Sequence, residues 1–431
     1  MNRLKFTCII SCLLLTLAAC KKSEPTVATA TNSSASNANA GAASPLENFT
    51  KATTASTTTA AAAPPSLPPG MPIPPPPTIE AKSYVLMDFA SGKILGEFDS
   101  HTKREPASLT KLMTSYITFD ALRLGKLKLT DAVTVSEHAW REGGAGTDGS
   151  TSFIPINSQV PVETLLLGMI VQSGNDASIA LAEHIAGNED TFAQLMRTYA
   201  QKLGMTDTSF GNATGLPSPL DYTTAHDMAL LAQALIRDFP QYYHYFSVKE
   251  FTFNNTTQHN RNGLLTRDPT VDGLKTGHTE GAGFCLVTSA KRNDMRLVSV
   301  VLGTPSIKAR EEGTAALLNY GFSFYETKSL YRAGEILKNA VVRKGQIDQV
   351  NVGPKTDVQV TLQRGSAEAI QASVELPSTL VAPLKQDTVV GKLKVSKDGK
   401  VVASYPLYPL QDVAEAGFAG RMIDSVKLWF D

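Results

Sequence analysis

The chain has 431 residues, 19% of them charged, and its 40 basic and 40 acidic side chains cancel to a formal net charge of zero. That balance leaves no electrostatic footprint for nucleic acid and no drive toward strong binding of an anionic membrane. Of the four cysteines, three precede residue 21, so no disulfide framework holds the body together and a buried core must do so.

In chain order, Met1-Asn2-Arg3-Leu4-Lys5 is a short basic region and Phe6 to Ala19 an apolar stretch too short to span a membrane stably. Residues 1–19 read as a signal peptide. It closes on Leu17-Ala18-Ala19-Cys20, which is similar to the bacterial lipobox and makes Cys20 the lipidated first residue. Ordinary signal cleavage is the alternative, but Leu17 is a poor fit where a small residue is required. Lys21 is not the aspartate of inner-membrane retention, so the usual sorting rule points to the outer membrane. Residues 20–78 are Ala, Ser, Thr, Asn and Pro, with a proline-dense end. Such a composition buries no core and predicts a disordered or extended tether.

From Ser108 onward Leu109, Leu112, Met113, Tyr116 and Ile117 recur at helical spacing, after an extended Glu105-Pro106-Ala107 approach. In Ser108-Leu109-Thr110-Lys111, the lysine lies one turn on, on the serine's face. The bland role for Ser108 is a helix N-cap. The chemical one is a nucleophile beside a helix N-terminus, with Lys111 as base once burial or a neighbouring cation keeps part of it neutral. Val162 to Val171 is an apolar run that predicts a buried helix. It delivers Ser173-Gly174-Asn175 to a loop before a second helix from about Asp176 to Ile185. An ordinary inter-helix turn suits these residues equally well.

Val271 to Gly277, Phe284 to Thr288 and Met295 to Leu302 read as consecutive antiparallel strands. Lys275-Thr276-Gly277-His278 sits on the first of them, with Gly277 permitting close approach of another backbone, here a substrate peptide along the strand edge. A surface turn is the alternative. Beyond Leu330, Val341–Arg343, Val358–Leu362, Ile370–Leu376 and Val389–Val395 alternate as short strands of a compact all-β domain, and Cys285 reads as a small buried strand residue. Phe418, Met422, Val426, Trp429 and Phe430 share one face of a final amphipathic helix.

Three motifs, S-x-x-K, S-x-N and K-T-G, thus occur in one order over a domain-sized span. With Gln172–Ala177, Thr208-Ser209-Phe210, Gly215-Leu216, Asp272–Thr279, Gly321-Phe322 and Phe324–Thr327, the chain resembles the low-molecular-weight penicillin-binding proteins of the D-alanyl-D-alanine carboxypeptidase type. The resemblance implies an α+β catalytic domain over 79–329, a helical cluster against a five-stranded antiparallel sheet flanked by helices. An all-β domain over 330–413 and a helix over 414–431 would follow. It implies serine-type removal of the terminal D-alanine from peptidoglycan stem pentapeptides, with acylation by β-lactams such as penicillins.

By the same resemblance, Ser108 is the acylated nucleophile, Lys111 its base, and Ser173 the relay to the leaving D-alanine. Asn175 holds the substrate amide. Lys275, Thr276 and Gly277 border the carboxylate site, and the strand at His278 shares the oxyanion hole with the Ser108 N–H. Arg310 takes the terminal carboxylate, unless it lies on a solvated helix face. No metal or other cofactor is implied: the seven histidines form no H-E-x-x-H pattern.

A class A β-lactamase would need a glutamate between Leu203 and His226, where the only acids are Asp207 and Asp221, so slow penicillin release is expected. A D,D-endopeptidase of the same fold usually lacks the C-terminal β-domain, and a non-catalytic cell-wall or β-lactam-binding lipoprotein has no need of Ser108, Lys111 and Lys275 together. The C-terminal helix of this family lies on the inner membrane, in tension with a lipid at Cys20; a helix folded onto the β-domain is the alternative.

Overall fold

The computed structural model describes residues 71–144, 149–366 and 370–427. The signal segment, Cys20 and most of the expected tether lie outside them, as do Trp429 and Phe430. Two strands, Ser83–Asp88 and Ile94–Phe98, open the body; Val271–Thr279, Gly283–Arg292 and Met295–Thr304 complete one five-stranded sheet. All four pairings are antiparallel, and Val271–Thr279, hereafter the motif strand, occupies one edge.

Both faces of the sheet are covered, which is why its strands read as nearly unbroken apolar runs. Along the first strand Val85 and Met87 enter the larger core with the helices, whereas Tyr84 and Leu86 enter a second core. Helix Ile307–Phe324 closes that second core through Leu317, Leu318 and Phe322. The larger core surrounds α1, Lys111–Arg123, which is buried on nearly every side. Polar Lys111, Thr114, Ser115, Thr118 and Asp120 are buried along with its apolar residues, so the helix lies inside the domain although its sequence shows little amphipathic pattern.

The β-rich C-terminal region forms its own core from residues including Val342, Val352, Val360, Leu393 and Leu407. Its first strand, Tyr325–Tyr331, pairs with Val358–Gln363, so the boundary expected near residue 330 falls inside a paired strand. Asp88, fully buried, ties this region to the catalytic sheet. Its carboxylate accepts from Thr327 Oγ1 at 2.7 Å, Thr361 Oγ1 at 2.6 Å, and the Ser91 hydroxyl and N–H at 2.6 and 2.8 Å.

Packing also begins earlier than composition suggests. Within residues 71–78 Ile73 packs against the second core, Tyr320 donates to the Pro74 carbonyl at 2.9 Å, and Gln363 donates to Met71 at 2.8 Å. An extended proline-rich segment has no internal hydrogen bonds, so its carbonyls are free to accept these donors. At the other end, helix Phe418–Lys427 leaves Phe418 and Met422 exposed while Asp424, buried, accepts from the Lys344 N–H at 2.7 Å. Among the described residues no helix is long and apolar enough to cross a membrane.

Candidate active site

Ser108 is not an N-cap. It lies in a single 3₁₀ turn, Ala107–Thr110, that runs directly into α1 and whose cap position is Pro106. Ala107 has φ of +48°, a conformation rare outside glycine, and this kink sets the serine at the mouth of a cavity. Two glycines make room for the turn. Gly215, at φ +79°, lies against the Ala107 carbonyl, with Thr110 Oγ1 2.8 Å from where a Cβ would stand. At Gly277 a Cβ would lie 3.2 Å from Leu109 Cγ and the Pro106 carbonyl oxygen. The groups that a Cβ on Gly277 would meet thus belong to the Ala107–Thr110 turn and its flanks in this same chain, and Gly277 also lines the cavity.

Lys111 opens α1 and is 1% exposed. Its ammonium donates to Ser108 Oγ at 3.0 Å, Asn175 Oδ1 at 2.6 Å and the Thr214 carbonyl at 2.6 Å. Burial brings the amine from the ordinary lysine range down to about 7; Asp176 and Glu189 pull it back up and Arg261 pushes it further down. Lys275 is also buried, and desolvation first, then the charges of Lys111, Arg261 and Arg310, holds its amine well below the usual value. It donates to the Thr276 carbonyl at 3.0 Å.

Ser173 and Asn175 come from the expected helix, with one local departure. The helix Val162–Leu167 passes into a π-helical turn, Gly168–Gln172, after which Ser173 takes a left-handed conformation at φ +68°. Such turns cluster at functional sites because the extra residue redirects the chain. Asn175 then begins helix Asn175–Ala186. Ser173 Oγ is buried with no hydrogen-bond partner among the described residues, a costly state for a hydroxyl unless a ligand or transferring proton uses it.

The Asp176 carboxylate secures the segment opposite, accepting from the N–H of Ser152 at 2.8 Å and of Ile154 at 3.1 Å and from Thr151 Oγ1 at 2.9 Å. The loop carrying the Thr214 carbonyl is organised by Asn212, whose Oδ1 accepts from the N–H groups of Thr214 and Gly215 at 3.0 and 2.7 Å.

These elements enclose a cavity of about 460 Å³ lined by Ser108, Ser173, Asn175, Thr276, Gly277, His278 and Arg310. Lys111 and Lys275 lie behind it. Arg310 is 4% exposed, so the solvated-face alternative does not describe it; one of its guanidinium nitrogens reaches the Arg261 carbonyl at 3.3 Å, and its Nε is buried without a partner. His278 stacks on Phe284 at 4.0 Å between centroids. Sequence reasoning missed Arg261, the Thr214 carbonyl and Asp176. Cys285 is buried and free, as its strand position implies. No group of three or more metal-ligating side chains is assembled among the described residues.

The family model described as D-alanyl-D-alanine carboxypeptidase matches residues 71–306, and that for the C-terminal domain of penicillin-binding protein 5 matches residues 325–415. The chain belongs to the serine D-alanyl-D-alanine carboxypeptidases. The carboxypeptidase is 44% identical to D-alanyl-D-alanine carboxypeptidase DacA of Escherichia coli over 361 residues, 83% of this chain and 90% of the relative. It is 35% identical to DacF of Bacillus subtilis over 351 residues, 79% and 87% of the two chains. Penicillin-binding protein 5 of Haemophilus influenzae superposes with a TM-score of 0.73 at 44% identity, covering 79% of this chain and 99% of that one.

Proposed function

We propose that the carboxypeptidase removes the terminal D-alanine of peptidoglycan stem pentapeptides through an acyl-enzyme on Ser108. The observation that carries this assignment is the buried Lys111 amine, 3.0 Å from Ser108 Oγ and close to half neutral near pH 7. Lys111 takes the hydroxyl proton as Oγ attacks the carbonyl carbon of the penultimate D-alanine. The N–H groups of Ser108 and His278 receive the charge of the tetrahedral intermediate, the larger share of catalysis in such sites.

Ser173, whose hydroxyl lacks a partner, relays the proton to the departing amine while Asn175 holds the substrate amide. Lys275, Thr276 and the Gly277 segment border the terminal carboxylate, and Arg310 binds it with its unpartnered Nε. Water then hydrolyses the ester.

Penicillins acylate the same serine and leave slowly, because no Asp or Glu is among the described residues lining the cavity to activate a deacylating water. The endopeptidase reading is the weaker one, since the chain carries the C-terminal β-domain. D-alanine release from a D-Ala-D-Ala pentapeptide by the wild type but not by Ser108→Ala supports the assignment. Release by both proteins overturns it.

We further propose an envelope-facing location, with lipid on Cys20 and a second membrane contact through the exposed Phe418 and Met422. The domain limits proposed are 1–19, 20–78, 79–329, 330–413 and 414–431. Fractionation of Cys20→Ala tests the lipid: an unchanged distribution removes it from the account.

A further inference from the structure

We propose that Glu189 is a positioning residue for Lys111: its carboxylate anchors the loop that holds the amine, and its charge raises the pH below which acylation slows. The inference rests on Lys111 being the base. Glu189 begins helix Glu189–Lys202, behind the catalytic cavity rather than in it. Its Oε1 accepts from the Ala213 N–H at 2.9 Å. The Ala213 carbonyl accepts from Thr114 Oγ1 at 2.8 Å and Ser178 Oγ at 2.6 Å, and the next carbonyl, that of Thr214, holds Lys111. One residue of backbone therefore separates the carboxylate's anchor point from the acceptor of the catalytic amine.

A second cavity of about 280 Å³ lies on the Glu189 side of this loop, lined by His138, Glu142, Ile179, Glu189 and Asn212, and Thr214 and Leu216 line both cavities. The loop is thus a thin partition, across which the Glu189 charge acts on Lys111. The other charged groups facing Lys111 are Asp176 from helix Asn175–Ala186, Arg261, and Lys275 from the motif strand.

Those facing Glu189 are His138 and Glu142 from helix Glu137–Gly143, Glu183 from helix Asn175–Ala186, Asp190 on its own helix, and Asp221. His138 bridges two of these acids, with Nδ1 at 2.9 Å from Glu183 and Nε2 at 3.8 Å from Glu189. The two anions near Lys111 differ in kind. Asp176 is engaged by several donors of the Ser152–Ile154 segment, whereas the second oxygen of Glu189 meets only the distant His138 ring among the contacts described. Glu189 is the anion whose charge can be removed while an acceptor for the Ala213 N–H, and with it the cavity wall, is kept.

The test is Glu189→Gln in the full chain, where the amide oxygen still accepts from Ala213 and only the charge is lost. Removing an anion favours the neutral amine. The acidic limb of penicillin acylation should move to lower pH by about half a unit, making acylation about threefold faster on that limb with an unchanged plateau. Titration of the Lys111 Cε resonance in ¹³C-lysine-labelled protein, assigned with Lys111→Arg, should show the same displacement. Glu189→Ala, which also loses the acceptor, should move the limb equally and lower the plateau.

A lysine resonance that does not move overturns the role of Glu189 itself. A lysine that moves while the acylation limb stays fixed overturns the proposal through the assignment of Lys111 as base. Matching unfolding midpoints for wild type and Glu189→Gln exclude a merely structural change.

Discussion

The most direct consequence of the buried amine is the pH profile of acylation. In the proposed mechanism Lys111 must be neutral to accept the Ser108 proton, so the rate should follow the free-amine fraction. With Lys111 at about 7, half of the enzyme is competent at pH 7 and about a tenth one unit lower. An ordinary lysine at 10.5 would leave about one molecule in three thousand competent at neutrality, so burial contributes roughly three orders of magnitude. The stability sign is opposite in sense to a salt bridge. Between about 7 and 10.5 the unfolded chain binds the extra proton, so Lys111 weakens the fold below that window and its penalty fades as pH rises through it. Stopped-flow acylation by a fluorescent penicillin, in single turnover between about pH 5 and 9, reads the limb directly. A rate climbing tenfold per unit through pH 9, or one flat over the whole range, would refute the reasoning.

Two further substitutions test the scaffold. Gly215→Ala places a Cβ against the Ala107 carbonyl at a backbone φ of +79°, so the nucleophile turn must shift; D-alanine release should fall about a hundredfold, and activity within a factor of two of wild type would show that the turn tolerates the displacement. Asp88→Ala removes the charged acceptor shared by the Ser91, Thr327 and Thr361 hydroxyls at the junction with the β-rich region, leaving them only one another, and should cost about 3 kcal/mol in chemical unfolding, with D-alanine release preserved because Asp88 does not line the cavity. A loss below about 1 kcal/mol would mean other contacts join the two regions.

Much of this was legible in the chain because strand and helix periodicity are local. The three sheet strands at Val271, Gly283 and Met295 begin within a residue of where the sequence reading put them. Ser108, Lys111, Ser173, Asn175 and Lys275 converge because their motifs fix residue type and spacing together. The features that escaped are those where tertiary contact overrides local preference.

Nothing in Glu105-Pro106-Ala107 announces a positive φ at Ala107, for which Gly215 and Gly277 make room from distant segments. The Thr214 acceptor is a carbonyl, which every residue has, so no side-chain pattern reports it. In the sequence Arg310 is open to a solvated helix face as the alternative to a carboxylate site, because only helix Ile307–Phe324, packed in place, turns it inward against Arg261. Residues 71–78 read as tether because composition registers what a segment buries of its own, not what its carbonyls accept from Tyr320 and Gln363.

The cations around the cavity explain two properties with one arrangement. Arg261 and Arg310 line it, Lys275 stands behind, and no carboxylate is among the described lining residues, although the whole chain is neutral. Arg261 presses Lys111 toward its neutral form, while Arg310, held by the Arg261 carbonyl and Glu311, keeps a buried Nε with no partner among the described residues. In the role proposed for Arg310, a peptide ending in a free carboxylate would supply an acceptor for that Nε, and one ending in an amide would leave it without one. A charge-assisted hydrogen bond lost in this way costs about 1.5–3 kcal/mol, or roughly ten- to a hundredfold in kcat/KM. Comparing a D-Ala-D-Ala pentapeptide with its C-terminal amide measures that difference, and Arg310→Gln should shrink it by slowing the free acid alone. Equal rates for both peptides on the wild type would remove the carboxylate from recognition and leave preference for the chain end without a structural cause.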